Sequence, residues 1–167
     1  MKNFFINEDI EEIIKNSKSE LLGLNNKHIL LTGGNGFLGK YFTQTIDTFN
    51  YNHKKNIKLT NIDNFITSKN NFSKSIRSKN IKFIKADAGK KINIKGNVDI
   101  IIHAAGIASP FYYRAKPLET LDVAVTGLRN ILEIAKNKKS KVLFFSSSEI
   151  YGDPDIREIP IKETYRG

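Results

Sequence analysis

The chain has 167 residues, 40% of them apolar and 26% charged, with a formal net charge of +10 and no cysteine. That length holds one domain with a sizeable core. The missing cysteines exclude a disulfide scaffold and a thiolate metal site, and they fit a cytoplasmic location. No apolar run approaches the roughly 20 residues that span a bilayer, and "MKNFFINEDIEEII" brings acids too early for an export signal, so no membrane partner is expected.

The basic charge raises nucleic acid as a partner. The lysines are scattered, however, and the densest stretch, "TSKNNFSKSIRSKN", holds a single aromatic residue. A solvated Lys-rich surface accounts for the charge, and it would steer anionic nucleotides without any further partner. No nucleic-acid partner is expected. His28, His53 and His103 lie far apart without ligand spacing, so no metal is expected either.

In chain order, residues 7–22 read as one amphipathic helix, with Asn7 as a cap and Ile10, Ile13, Ile14, Leu21 and Leu22 on one face. "KHILLTG" reads as a buried strand, and "FLGKYFTQTIDTF" has helical periodicity. "IKLTNIDNF" is a second strand, and residues 66–80 form a polar, basic loop with a short helix. "IKFIKAD" and "VDIIIHAAG" are the third and fourth strands. "PLETLDVAVTGLRNILEIAKN" is a long helix, "KVLFFSSS" a fifth strand, and "EIYGDPDIREIPIKETYRG" a loop. Strands that run apolar without alternation, separated by helices, predict an α/β fold: a Rossmann-type, doubly wound parallel sheet with helices on both faces. Residues 1–26 form a helical extension ahead of a dinucleotide-binding domain over 27–167.

The stretch "LLTGGNGFLGKYF" carries the first chemical signal. Gly34, Gly36 and Gly39 fit G-x-G-x-x-G, and Gly33, Gly36 and Gly39 fit G-x-x-G-x-x-G. Between a strand and a helix, the early glycines permit a tight turn. Gly36 lets a pyrophosphate approach the backbone, and Gly39 lets the helix pack on the strand. The helix-start amides near Phe37 and Leu38 then face the phosphates with the positive end of the helix dipole. Asp63 ends the second strand about 20 residues further on, where a carboxylate accepts the ribose hydroxyls and repels a 2'-phosphate. NAD is therefore expected over NADP. Asp63 also suits a plain turn residue in "IDNF". Asp87, at the end of the third strand, suits either a turn acid or an acceptor for the adenine amino group. His103 ends an apolar strand and reads as a packed histidine rather than a catalyst.

"LLTGGNGFLG", "NIDNF", "HAAG" and "SSSEIYG" occur in the order seen in the extended short-chain dehydrogenase/reductases. These are the NAD-dependent nucleotide-sugar epimerases, dehydratases and decarboxylases, and residues 27–167 resemble them. The resemblance implies NAD as cofactor, a UDP- or dTDP-linked sugar as partner, and a homodimer for the intact enzyme. It places Gly36, Phe37, Leu38, Asp63, Asn64, Asp87, Ala104, Ala105 and Gly106 around the dinucleotide, with Gly33 and Gly39 completing the glycine motif.

"HAAGIASPFYYRAKPLETLD" and "SSSEIYGDP" look most like UDP-glucuronate decarboxylases. By that match Ser147 takes the catalytic Ser/Thr place at the sugar 4-hydroxyl, and Glu149 lies near the carboxyl-bearing carbon. Pro110, Tyr113 and Ser148 line the sugar pocket. In the related 4,6-dehydratases an Asp stands where this chain has Ser148, a poor general acid, which counts against dehydration. A 4-epimerase leaves Glu149 without a task. A non-catalytic dinucleotide-binding module is the alternative of a different class.

The family's proton shuttle is Tyr-x-x-x-Lys after the Ser-bearing strand. The two matches here, Tyr51 with Lys55 and Tyr112 with Lys116, both precede Ser147 and are rejected. In the decarboxylases a segment like "ETYRG" stands just before the true pair. The expectation is therefore the N-terminal part of a longer enzyme, inactive alone and without its C-terminal substrate lobe. Ala124 stands where relatives carry Asn.

Overall fold

A computed structural model describes residues 7–67 and 75–166. Its strands are β1 (His28–Thr32), β2 (Lys58–Asp63), β3 (Ile81–Lys85), β4 (Ile100–His103) and β5 (Lys141–Phe144). All pairings are parallel, in the order β3-β2-β1-β4-β5. The order reverses beside β1, between β2 and β4, which creates the crevice where doubly wound sheets take ligands.

Strand periodicity divides the core in two. Ile29, Leu31, Leu59 and Ile102 point to one face, where Ile46 and Phe49 of α3 (Phe37–His53) pack on them. The N-terminal helices α1 (Asn7–Asn16) and α2 (Lys18–Gly23) add Ile10, Ile14 and Leu21 to that face. Leu30, Ile62 and Ile101 point the other way and meet Ile131 and Ala135 of α6 (Leu128–Lys138). Both faces of the central strands β1, β2 and β4 are thus covered by helices, whereas Ile84 of β3 and Leu143 and Phe144 of β5 stay exposed. Burial of this kind contributes about 25 cal/mol per Å² of apolar surface.

Several expectations are refined. The helix read over 7–22 is two helices, because Ser17 leaves helical geometry at φ −114° and ψ 25°. Asn16 and Ser17 are residues whose side chains compete for nearby backbone groups, which weakens a helix interior. The strands end earlier than the apolar runs do, and the segments beyond them form the loops of the crevice. Helix α4 (Pro110–Ala115) was not expected. Pro110 at its first position is the signal that marks it, since Pro there gives up only an amide the helix would not use. The long crossover helix is α5 (Pro117–Asp122), a π-helical turn (Val123–Gly127) and α6. Of the segment 66–80, read as a loop with a short helix, residues 68–74 lie outside the described residues.

Asp47 of α3 anchors the connection between β2 and β3. It is fully buried, and its carboxylate accepts the backbone N–H of Arg77 at 3.1 Å and of Ser78 at 2.7 Å. The Arg77 guanidinium lies 3.6 Å from the carboxylate at Nε, and its Cζ stands 4.2 Å over the Tyr51 ring.

Candidate functional site

The carboxyl ends of four strands surround one cleft. After β1 it is bordered by Gly33 and Gly36, at the end of β2 by Asp63 and Asn64, after β3 by Ala86–Lys90, and after β4 by Ala104–Ile107. The crossover helix closes the side with Glu119, Asp122 and Val123.

The glycines of the first turn have different tasks. Gly33 has φ +74°, and a side chain on it would meet the Ala104 carbonyl oxygen at 2.5 Å. A side chain at Gly34 would overlap Asn61, and one at Gly39 would lie 2.4 Å from the Gly33 carbonyl oxygen. These three glycines let the turn, the sheet and α3 come together. Gly36 differs: a Cβ there would meet only the Gly33 carbonyl oxygen, at 3.1 Å. It borders the cleft, so the wall at this point is bare backbone, the surface that a close-approaching ligand needs. The first bond within α3 runs from the Lys40 N–H to the Gly36 carbonyl. The amides ahead of it stand at the positive end of the helix dipole. The chemistry of this turn, bare backbone beside a helix start, suits a pyrophosphate.

Asp63 does more than end β2. Its Oδ2 accepts from the Asn35 N–H and its Oδ1 from the Phe65 N–H, both at 2.8 Å. Each oxygen keeps acceptor capacity for a ribose hydroxyl. Asp87 accepts from the Gly89 N–H at 2.9 Å through one oxygen. Both acids are thus turn residues held at the cleft, so the two roles weighed for each are compatible.

Phe37 and Leu38 do not line the cleft with their side chains, which are exposed, the Phe37 ring lying tilted against that of Tyr41 at 5.4 Å between centroids. Only their backbone belongs to the cradle. His103 is buried, with Nδ1 2.7 Å from the Thr32 hydroxyl, and burial pushes its pKa below the ordinary value. It is a packed, neutral histidine, as its position suggested. Thr32 in turn accepts from the Ala105 N–H at 3.4 Å, which ties this pair to the wall after β4.

The residues assigned to sugar chemistry stand outside the cleft. Ser147 caps a short 3-10 turn (Ser148–Tyr151), its hydroxyl accepting from the Glu149 N–H at 3.3 Å. Ser147, Ser148, Glu149, Pro110 and Tyr113 are all exposed, and none of them lines the cleft. Tyr51 and Tyr112, the rejected shuttle candidates, do not line it either. Gly89, Glu119, Asp122 and Val123 went unnoticed in the sequence. The spacing of Glu119 and Asp122, three apart on a helix and so on one face, is the signal that could have found the acids.

The comparisons agree with this geometry. The model of the NAD dependent epimerase/dehydratase family matches residues 29–166. The chain is 36% identical over 143 residues to UDP-glucuronic acid decarboxylase 6 of Arabidopsis thaliana, covering 85% of this chain and 39% of that protein. It is 36% identical over 142 residues to UDP-glucuronic acid decarboxylase 1 of Danio rerio, covering 84% of this chain and 32% of that protein. The chain thus spans about two fifths or less of the length of these relatives. Among solved structures, an epimerase from Methanothermobacter thermautotrophicus superposes with a TM-score of 0.72 at 23% identity, over 92% of this chain and 45% of the other. A dTDP-glucose 4,6-dehydratase from Streptomyces venezuelae, solved with NAD bound, gives 0.60 at 21% identity, over 77% and 42%. These two likenesses concern the fold. A glycine cradle at the sheet's switch point, and a family match across nearly the whole domain, lead to one assignment: the chain belongs to the NAD-dependent epimerase/dehydratase family.

Proposed function

We propose that this chain is the NAD-binding portion of a nucleotide-sugar enzyme that decarboxylates UDP-glucuronate. The observation that carries the cofactor reading is Gly36, which the fold leaves open towards the cleft while the glycines around it are closed by packing. The 36% identity to UDP-glucuronic acid decarboxylases supports the choice within the family. Ser147 and Glu149, in "SSSEIYG", are the residues we assign to the sugar.

When bound, NAD supplies the hydride acceptor for oxidation at sugar C4 and the donor that reverses it. Gly36 and the α3 amides hold the pyrophosphate, and Asp63 holds the ribose. Ser147 uses its hydroxyl as acceptor towards the Glu149 amide, so its proton is available to the sugar O4. Oxidation leaves a 4-keto group β to the carboxylate. Carbon dioxide then departs, and the electron pair moves into an enolate whose oxygen lies at this hydroxyl. Glu149 stands near the carboxyl-bearing carbon, with Pro110, Tyr113 and Ser148 along the sugar. The catalytic base and the lobe that orients the sugar belong, in this reading, to a longer protein, which acts as a homodimer in the cytoplasm. The exposed apolar side chains of Leu121, Val125 and Leu132 along the crossover helix support an assembly of two copies.

The test gives the full-length protein UDP-glucuronate and dTDP-glucose and follows products by mass spectrometry. Release of a UDP-pentose and CO2 with no net NADH is the expected result. A 4-keto-6-deoxy sugar would replace the decarboxylase with a dehydratase. A protein that binds NAD and turns over neither sugar would leave the dinucleotide-binding module as the reading.

A further inference from the structure

We propose that Asp122, on the crossover helix, faces Asp87 across Gly89 and makes the adenosine end of the cleft reject a 2'-phosphate, in addition to Asp63. This rests on the dinucleotide reading above and names a specificity residue for the same site.

The placement follows from three observations. Asp122 borders the same cleft as Asp63 and Asp87. A methyl group at Gly89 would stand 3.3 Å from Oδ1 of Asp87 and 3.7 Å from Cβ of Asp122, so the two acids flank that glycine. The loop and the helix are also held together. The Asn130 side-chain amide donates to the Ala88 carbonyl at 3.0 Å, and Gly127 lies against Ala88 closely enough that a Cβ there would be 3.5 Å from its carbonyl. These contacts hold the crossover helix beside the loop after β3 and so set where Asp122, itself exposed, stands at the cleft.

Charge then decides. Asp63 already uses both oxygens on backbone amides, and Asp87 uses one on Gly89. Glu119, the other acid of the crossover helix, lies 3.9 Å from the Lys116 ammonium. The Asp122 carboxylate makes no hydrogen bond or salt bridge among the described residues, so its charge is not offset locally. Lys90 is the cation among the described lining residues, against four carboxylates. A neutral 2'-hydroxyl can donate into such a wall. A 2'-phosphate, with nearly two negative charges, is repelled by every acid within a Debye length, about 8 Å at physiological salt.

The test measures the dissociation constants of NAD and NADP for the protein by calorimetry, and takes their ratio. In Asp122→Asn the NADP-to-NAD ratio of dissociation constants should fall by about three- to tenfold. Asp122→Glu should keep the wild-type ratio, and so should Glu133→Gln, which removes an acid from the same helix away from the cleft. The wild-type ratio should also narrow as salt is raised, and narrow less in Asp122→Asn, because screening acts on charge and not on shape. An unchanged ratio in Asp122→Asn, with NAD binding that Gly36→Val abolishes, overturns this proposal alone. Binding of neither nucleotide by the wild-type protein overturns the dinucleotide reading and this proposal with it.

Discussion

The backbone N–H of Asn35 donates to Oδ2 of Asp63 at 2.8 Å, which ties the glycine turn after β1 to the end of β2. A single carboxylate therefore shapes the glycine turn and stands at the cleft where the proposed function puts the ribose. Asp63→Asn offers one acceptor oxygen where two amides are served, those of Asn35 and Phe65. We expect a stability loss of about 1–3 kcal/mol, together with NAD binding weakened by about tenfold or more. Thermal melts and calorimetry on the same samples check both. Unchanged NAD affinity with a lowered melting temperature would leave Asp63 only its structural task.

The glycines should separate into two classes. Gly36 has φ −70° and ψ 178°, a conformation any residue adopts, and a Cβ there would meet a single neighbour, the Gly33 carbonyl oxygen at 3.1 Å, which a shift of a few tenths of an ångström relieves. Gly36→Val should fold with a melting temperature close to wild type and lose NAD binding. Gly39→Ala should do the reverse in kind. Its methyl would stand 2.4 Å from the Gly33 carbonyl oxygen and 2.5 Å from Gly34 Cα, so α3 must move, at a cost of about 1–3 kcal/mol. Equal destabilisation by the two substitutions would mean that Gly36 is a packing residue and not a contact for the phosphates.

The architecture was readable because the strands carry short clusters of apolar residues between turn signals, and the glycine motif fixes where the first strand meets its helix. The cradle and Asp63 were readable for the same reason: local sequence dictates local geometry there. The other wall of the cleft was not. Asp122 and Gly89 are distant in sequence, and their meeting depends on how α6 packs over the loop after β3 through Asn130 and Gly127. The helix break at Ser17 was hidden because Ile14 and Leu21 keep helical spacing across it. The α4 helix was hidden because it buries no residue, so no apolar stripe announces it.

Asp47 predicts a contrast between two partners of one ion pair. Asp47→Ala takes the buried acceptor from the part-buried amides of Arg77 and Ser78 and should cost about 1–3 kcal/mol. Arg77→Ala keeps both amides on the carboxylate and removes a guanidinium that is half exposed and 3.6 Å away. That change should cost about 0–1 kcal/mol. Urea denaturation of both variants measures the difference. Similar losses would show that the ion pair, and not the backbone clasp, holds the β2–β3 connection.

His103 predicts how stability depends on pH. Its ring is buried on the crossover-helix side of the sheet, bonded to Thr32 through Nδ1, and burial lowers its pKa below the ordinary value. The folded chain therefore resists a proton that the unfolded chain accepts near pH 6.5. Between the lowered folded value and about 6.5 the unfolded state binds more protons, so stability rises with pH across that window. Above about 6.5 both states hold a neutral ring and this group contributes no slope. On acidification through 6.5 stability is lost, until the folded value is reached. Denaturant titrations at about pH 7.5, 6.5 and 5.5 measure that loss. In His103→Asn the protein should be less stable at the highest pH, because the imidazole's packing and its bond to Thr32 are gone. It should also lose less on going to the lowest. A slope equal to that of the wild-type protein would show that His103 protonates in the folded state as readily as in the unfolded one, and that other groups set the sensitivity to acid.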